Sequence, residues 1–114
     1  MASTYVRIQD RKYGTEGLFD ADRLSWDMGM CDNNARAGVS CCDDLEALLD
    51  YYVQAPIEIS DDPVIITMEG VESDDEPLDA ELGERLIHPT RIVSIVSAEA
   101  AGFYDGINER LENI

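Results

Sequence analysis

The sequence predicts an α+β fold: a small, mostly antiparallel sheet with two main helices packed on it, in a single domain over residues 1–114. Three observations lead there. Leu45, Leu48, Leu49, Tyr52 and Val53 recur at i, i+3, i+4, i+7 and i+8, which is one face of a helix. Val64, Ile65 and Ile66 run consecutively, as in a strand covered on both faces. Ala100, Phe103, Tyr104, Ile107, Leu111 and Ile114 mark the apolar face of a second helix. At 114 residues the chain is long enough to bury one core without staples.

Taken in order, residues 4–9 read as the first strand, with Val6 and Ile8 on one face and Tyr5 and Arg7 on the other. Residues 11–17 hold two glycines and read as a turn region. Asp20 is placed to cap a short helix over 21–30 that offers Leu24 and Trp26 to the core. Asp32-Asn33-Asn34 marks 31–37 as loop, and 38–42 is a short strand. Asp43 or Asp44 caps the helix that carries the first apolar face, and Pro56 ends it. Residues 57–59 form a short strand and 63–69 a central one. An acidic loop follows over 70–83. Residues 85–88 and 90–97 form one strand or two around Pro89. Ser97 caps the last helix. Within it Gly102 and Gly106 each cost about 1 kcal/mol relative to alanine, so that helix depends on packing.

Charge is the most unevenly distributed property. Residues 37–84 contain fifteen acids and no lysine or arginine, while the rest of the chain has ten acids against eight bases. Solvated surface is the plain explanation, yet two details go beyond it. The helix after Asp43 has no base to pair with its acids, and Glu46 and Asp50 stand four apart and repel. Asp43 and Asp44 suit a helix N-terminus, but Asp50 lies nearer the negative end. Acids also recur on every expected surface of the block.

Fifteen charges equal roughly 25 Å of duplex DNA, at about one charge per 1.7 Å of axis. A rigid carboxylate array of that density can occupy a groove built to grip phosphates, and it repels nucleic acid itself. The expected partner is therefore a basic nucleic-acid-binding protein or complex, with no direct nucleic-acid binding. In charge, length and compactness the chain resembles the small acidic inhibitors that phages and mobile elements make against restriction or CRISPR enzymes. That resemblance implies a non-enzymatic, anti-CRISPR-like DNA mimic that blocks a host defence complex. The residues expected at the interface are Asp43, Glu46, Asp50, Asp61, Asp62, Asp74, Asp75, Glu76 and Asp79. No cofactor is expected for it, and the oligomeric state stays open.

Other chemistries find less footing. The three cysteines, Cys31, Cys41 and Cys42, do not make a disulfide framework. On a strand over 38–42, one of Cys41 and Cys42 points inward and the other outward. One histidine, His88, and no Cys-x-x-Cys argue against zinc, and a single histidine gives no serine–histidine–aspartate order. The acids of 72–81 would suit a hard cation, but their spacing is not that of an EF-hand. There is no Gly-x-Gly-x-x-Gly and no P-loop lysine. No run of 18 apolar residues offers a membrane span, and no apolar signal core opens the chain, so a cytoplasmic location is expected.

Three segments resemble parts of the ADP-ribosyltransferase fold. Gly38-Val39-Ser40-Cys41-Cys42, with the helix ending in Asp50-Tyr51-Tyr52, is similar to the strand and helix after the nicotinamide pocket. Residues 64–69 resemble the next strand. Glu84-Arg85-Leu86-Ile87-His88-Pro89-Thr90-Arg91-Ile92 looks like the late strand that begins with the catalytic glutamate. Arg7 and Ser40 would complete the arginine–serine–glutamate set. The resemblance implies a transferase-like module, active or degenerate. In it Arg7 binds NAD phosphates, Ser40 orders the pocket, and Glu84 holds the nicotinamide ribose and the acceptor. Ile8 stands where that family usually has glycine, and the usual Ser-Thr-Ser triplet is absent, which favours a relative that keeps the fold without the activity.

Overall fold

The computed structural model describes residues 3–19, 24–25, 36–54, 59, 61–77 and 80–112. In chain order the regular elements are β1 (Ser3–Asp10), β2 (Leu24–Ser25), β3 (Arg36–Ala37), β4 (Val39–Cys42), α1 (Leu45–Gln54), β5 (Pro63–Glu72), β6 (Glu84–Ser97) and α2 (Phe103–Glu112). Short 3-10 helices occupy Arg11–Tyr13, Glu16–Phe19 and Ala80–Leu82. The fold is α+β, as the two periodicities in the sequence predict.

β1, β4, β6 and β5 close into a barrel in that order, every pairing antiparallel. β1 runs beside β5 over its whole length, from Ser3 against Gly70 to Asp10 against Pro63. Against β4 it makes a single pairing, Val6 with Cys42. β4 in turn lies against only the first four residues of β6. β5 is the central strand the apolar run implied: it has a neighbour on each side, and Val64, Ile65 and Ile66 are all buried.

Two cores result, one on each face of the strands. Tyr5, Leu18, Val39, Cys41, Val64, Ile66, Met68 and Ile87 form one of them. Val6, Cys42, Leu48, Leu49, Tyr51, Ile65, Ala98 and Phe103 form the other, beneath the helices. Sheets covered on both faces can bury consecutive residues. This overturns the expectation for the two cysteines: Cys41 and Cys42 point to opposite faces, and both are buried as free thiols.

Other boundaries also differ from the sequence reading. Leu24–Ser25 is a strand paired with Arg36–Ala37, not part of a helix over 21–30. The rest of that stretch, with Trp26, and most of 31–37 lie outside the described residues. So do positions 57 and 58 of the expected short strand, and Ile59 belongs to no strand. β5 extends to Glu72, so the acidic connection to β6 is shorter than 70–83. β6 passes through Pro89 as one strand, accommodated by register shifts at 67/68 and 69/70 of β5. α2 begins at Phe103, so Ala100 and Gly102 precede it. Ser97 still caps the turn before it, its Oγ accepting from the Ala100 N–H at 3.1 Å. Tyr104 and Leu111 are exposed rather than core, and Ile114 lies outside the described residues.

Candidate functional site: Arg7, Ser40 and Glu84

The site begins where β1 and β4 part. After the Val6–Cys42 pairing the ladder stops. The Arg7 side chain continues the connection instead: its Nη1 donates to the Ser40 carbonyl at 2.9 Å. Strand alternation sends Arg7 to the face opposite Val6, so the guanidinium meets Ser40 at its backbone. Gln9, two residues on and on the same face, holds the other side of the guanidinium. Arg7 Nε donates to Gln9 Oε1 at 2.9 Å, and Gln9 Nε2 donates to the Gly14 carbonyl at 2.6 Å. The brace thus ties Arg7 to the turn after β1.

Ser40 enters β4 just after Gly38, whose φ is +117°. A Cβ at position 38 would stand 3.0 Å from the Ile87 carbonyl oxygen, so glycine lets β4 approach β6 this closely. Gly83, at φ +106°, turns the chain into β6 so that Glu84 is its first residue. Glu84 pairs with Cys42 and lies diagonally across from Ser40 on the same face. The Ser40 hydroxyl donates to Glu84 Oε2 at 2.5 Å. Glu84 is one of only two buried acids among the described residues, Asp10 being the other. Asp10 is a local cap, accepting from the Lys12 N–H.

The surroundings are apolar on one side and thiol-lined. Burial pushes the Cys41 thiol up, with the neighbouring Cys42 adding to the rise and Arg7 opposing it. Burial also pushes Cys42 up to about 12, with Glu84 the largest charge contribution. Neither cysteine is a nucleophile at neutral pH, because the thiolate is the reactive form. Tyr52 on α1 is likewise pushed up to about 12 by burial, against the pull of Arg7. A guanidinium and a buried carboxylate thus stand joined through one serine. Arginine donates to phosphates and a carboxylate accepts from hydroxyls; here the two stand on opposite faces of the strands, Arg7 across from Val6 and Glu84 beside Cys42, with Ser40 between them.

The acids of the proposed interface are arranged differently from a bare carboxylate array. Asp43 is paired with Arg85 at 3.2 Å, and Asp62 with Arg11 at 3.1 Å. Asp50 is paired with Arg110 at 2.8 Å, and Glu46 shares the same guanidinium. Asp75 accepts the Ala37 N–H at 2.7 Å. Asp61, Asp74 and Glu76 are exposed and carry no ion pair among the described residues. Asp79 lies outside them. Each ion pair among the described residues joins an arginine from outside 37–84 to an acid within it, the fifth being Arg91 with Glu69 at 2.7 Å. Among the described residues no group of three or more His, Cys, Asp or Glu could hold a metal ion, and no helix is long and apolar enough to cross a membrane.

Resemblance alone pointed to Arg7, Ser40 and Glu84, and the fold joins them in one hydrogen-bonded chain. Gln9 was missed; its only signal was the two-residue spacing from Arg7 on one strand face. Comparison with protein-family models, with curated proteins and with solved structures returned no match.

Proposed function

We propose that this protein is an ADP-ribosyltransferase-like module that binds a nicotinamide dinucleotide at Arg7, Ser40 and Glu84. One observation carries the reading. Residues 33 and 44 positions apart meet at Ser40, whose carbonyl accepts from Arg7 and whose hydroxyl donates to Glu84. In this reading Arg7 holds the pyrophosphate, Ser40 fixes the rotamer of Glu84, and Glu84 accepts from the nicotinamide ribose. Ile8 and the missing Ser-Thr-Ser triplet keep binding ahead of transfer. Two adjacent free thiols fit a reducing, cytoplasmic setting.

The test is a thermal melt with NAD at about 0.15 M salt, where long-range repulsion is damped. NAD at tenfold its Kd stabilises by about 1.4 kcal/mol, which raises Tm by several degrees for a domain of this size. Arg7→Ala and Glu84→Gln each remove the shift, while Ser40→Ala reduces it. No shift in the wild type at millimolar NAD overturns the proposal.

A second reading draws on the net charge of −17 and on the exposed Asp61, Asp74 and Glu76, which carry no ion pair among the described residues. It is the acidic inhibitor that imitates nucleic acid and blocks a basic surface of a defence complex. Four of its nine candidate acids already face arginines, so the remaining acids would have to supply the contact. Its partner would be captured from lysate at low salt and released at high salt; capture indifferent to salt rules it out.

A further inference from the structure

β6 is fourteen residues long, but its two edges are not equally used. β5 lies along one edge from Ile87 to Ser97. On the other, β4 covers only residues 84–87. Among the described residues no strand pairs with the outer edge of β6 beyond that point. Proteins usually blunt such an edge with lysines, prolines or inward charges. Beyond Pro89 and Arg91, this one has little of that. Thr90, Ile92, Val93, Ile95 and Val96 are all β-branched and suit a further pairing. Val93, Ile95 and Val96 are between 41 % and 46 % exposed.

The charge pattern is just as unusual. Residues 85–98 contain no acid, the longest such run in a chain with twenty-five. An incoming backbone therefore meets this edge without desolvating a carboxylate. Acids stand at its margins: Glu99 follows the strand, and Glu16 lies on the 3-10 helix packed against β6. Phe19 of that helix is also exposed.

We infer that the outer edge of β6, from residue 90 to 97, is a docking surface that takes an extended, cationic peptide as an added antiparallel strand. Main-chain hydrogen bonds supply the attachment, and alternate apolar side chains of the peptide lie over Val93 and Ile95. The net charge selects the occupant. A second copy of this chain would bring two bodies of −17 together, which opposes self-pairing. A peptide with basic side chains gains from the same field. This surface is independent of the Arg7–Ser40–Glu84 site.

The probe is a capped octapeptide of alternating valine and lysine, with the same composition interrupted by prolines as control. Amide hydrogen exchange of the protein is followed by NMR. The expected result is that exchange slows roughly tenfold or more within 90–97 when the alternating peptide binds, and not with the control. The double variant V93K/I95K, made at two exposed positions, should weaken binding by about tenfold while melting like the wild type. Binding of both peptides alike, with 90–97 unprotected, would mean diffuse attraction to a polyanion and overturns the proposal. Protection of the same amides without peptide, together with a dimer in sedimentation, would assign the edge to a second copy and also overturns it.

Discussion

Cys42 and Tyr52 sit on either side of the join between β4 and α1, and burial sets the protonation of both. The thiol rises from its ordinary 9.0 to about 12, and the phenol from 10.0 to about 12. A raised folded-state pKa means the folded chain keeps a proton that the unfolded chain gives up first. The stability tied to it is whole below about pH 9 and is lost as pH climbs toward 12. Unfolding free energy measured by urea titration should therefore fall steadily across that window, and less steeply in Cys42→Ala. A flat profile from pH 9 to 12 would show that these groups are not held in the apolar environment described. Legibility at this scale was uneven. Arg7, Ser40 and Glu84 were legible only through the resemblance to the arginine–serine–glutamate pattern, not from the residues themselves. The double burial of Cys41 and Cys42 could not be read, because strand alternation tells which faces are used but not that both are covered.

Among the elements, α1 was the most legible and the α1–α2 contact the least. Leu48 and Leu49 lie in the helix-side core as the periodicity requires, and Asp44 caps α1 by accepting the Ala47 N–H at 2.8 Å. Residues 24–25 and 36–37 misled because the pairing that makes them strands is non-local, while the helix signal at 21–30 was local. What no pattern in α2 announced is the use of Gly106. A Cβ there would stand 2.5 Å from Leu49 Cδ1 and 3.1 Å from Cδ2, and Leu49 is buried. Helix propensity alone makes glycine a weak point in a helix; here it is what lets α2 approach α1. Nearby, Arg110 reaches across to Glu46 and Asp50, the two acids whose four-residue spacing would otherwise set them against each other. Gly106→Ala sets a helix-propensity gain of about 1 kcal/mol against an overpacking cost of about 1–3 kcal/mol. The expected outcome is a net loss of about 1 kcal/mol in chemical denaturation. A stabilised variant would mean that the helices are not packed this closely.

At the scale of the whole molecule, the dominant quantity is a net charge of −17 on a body with a radius of gyration of 13.6 Å. Such a charge repels itself by on the order of ten kcal/mol at 0.1 M salt, part of which the unfolded chain also feels. The fold answers by drawing Arg11, Arg85, Arg91 and Arg110 onto the base-free block, so that five of its acids gain a partner. These pairs are exposed, and added salt weakens them as well. Two effects therefore oppose each other when salt is added: screening relieves the net repulsion, and it loosens a few pairs. The net charge of −17 far exceeds the charge held in these five pairs, and its repulsion acts over longer range, so screening wins. Tm should rise between low and moderate sodium chloride, and more steeply in Arg110→Ala, which frees two acids at once. A flat or falling Tm would show that the pairs outweigh the repulsion. The same titration separates the two functional readings by sign. Affinity for an anionic dinucleotide should increase as the field is screened, whereas affinity for a basic protein should drop. A dinucleotide whose binding weakens with salt would show that the local attraction between Arg7 and the pyrophosphate outweighs the field of the whole protein.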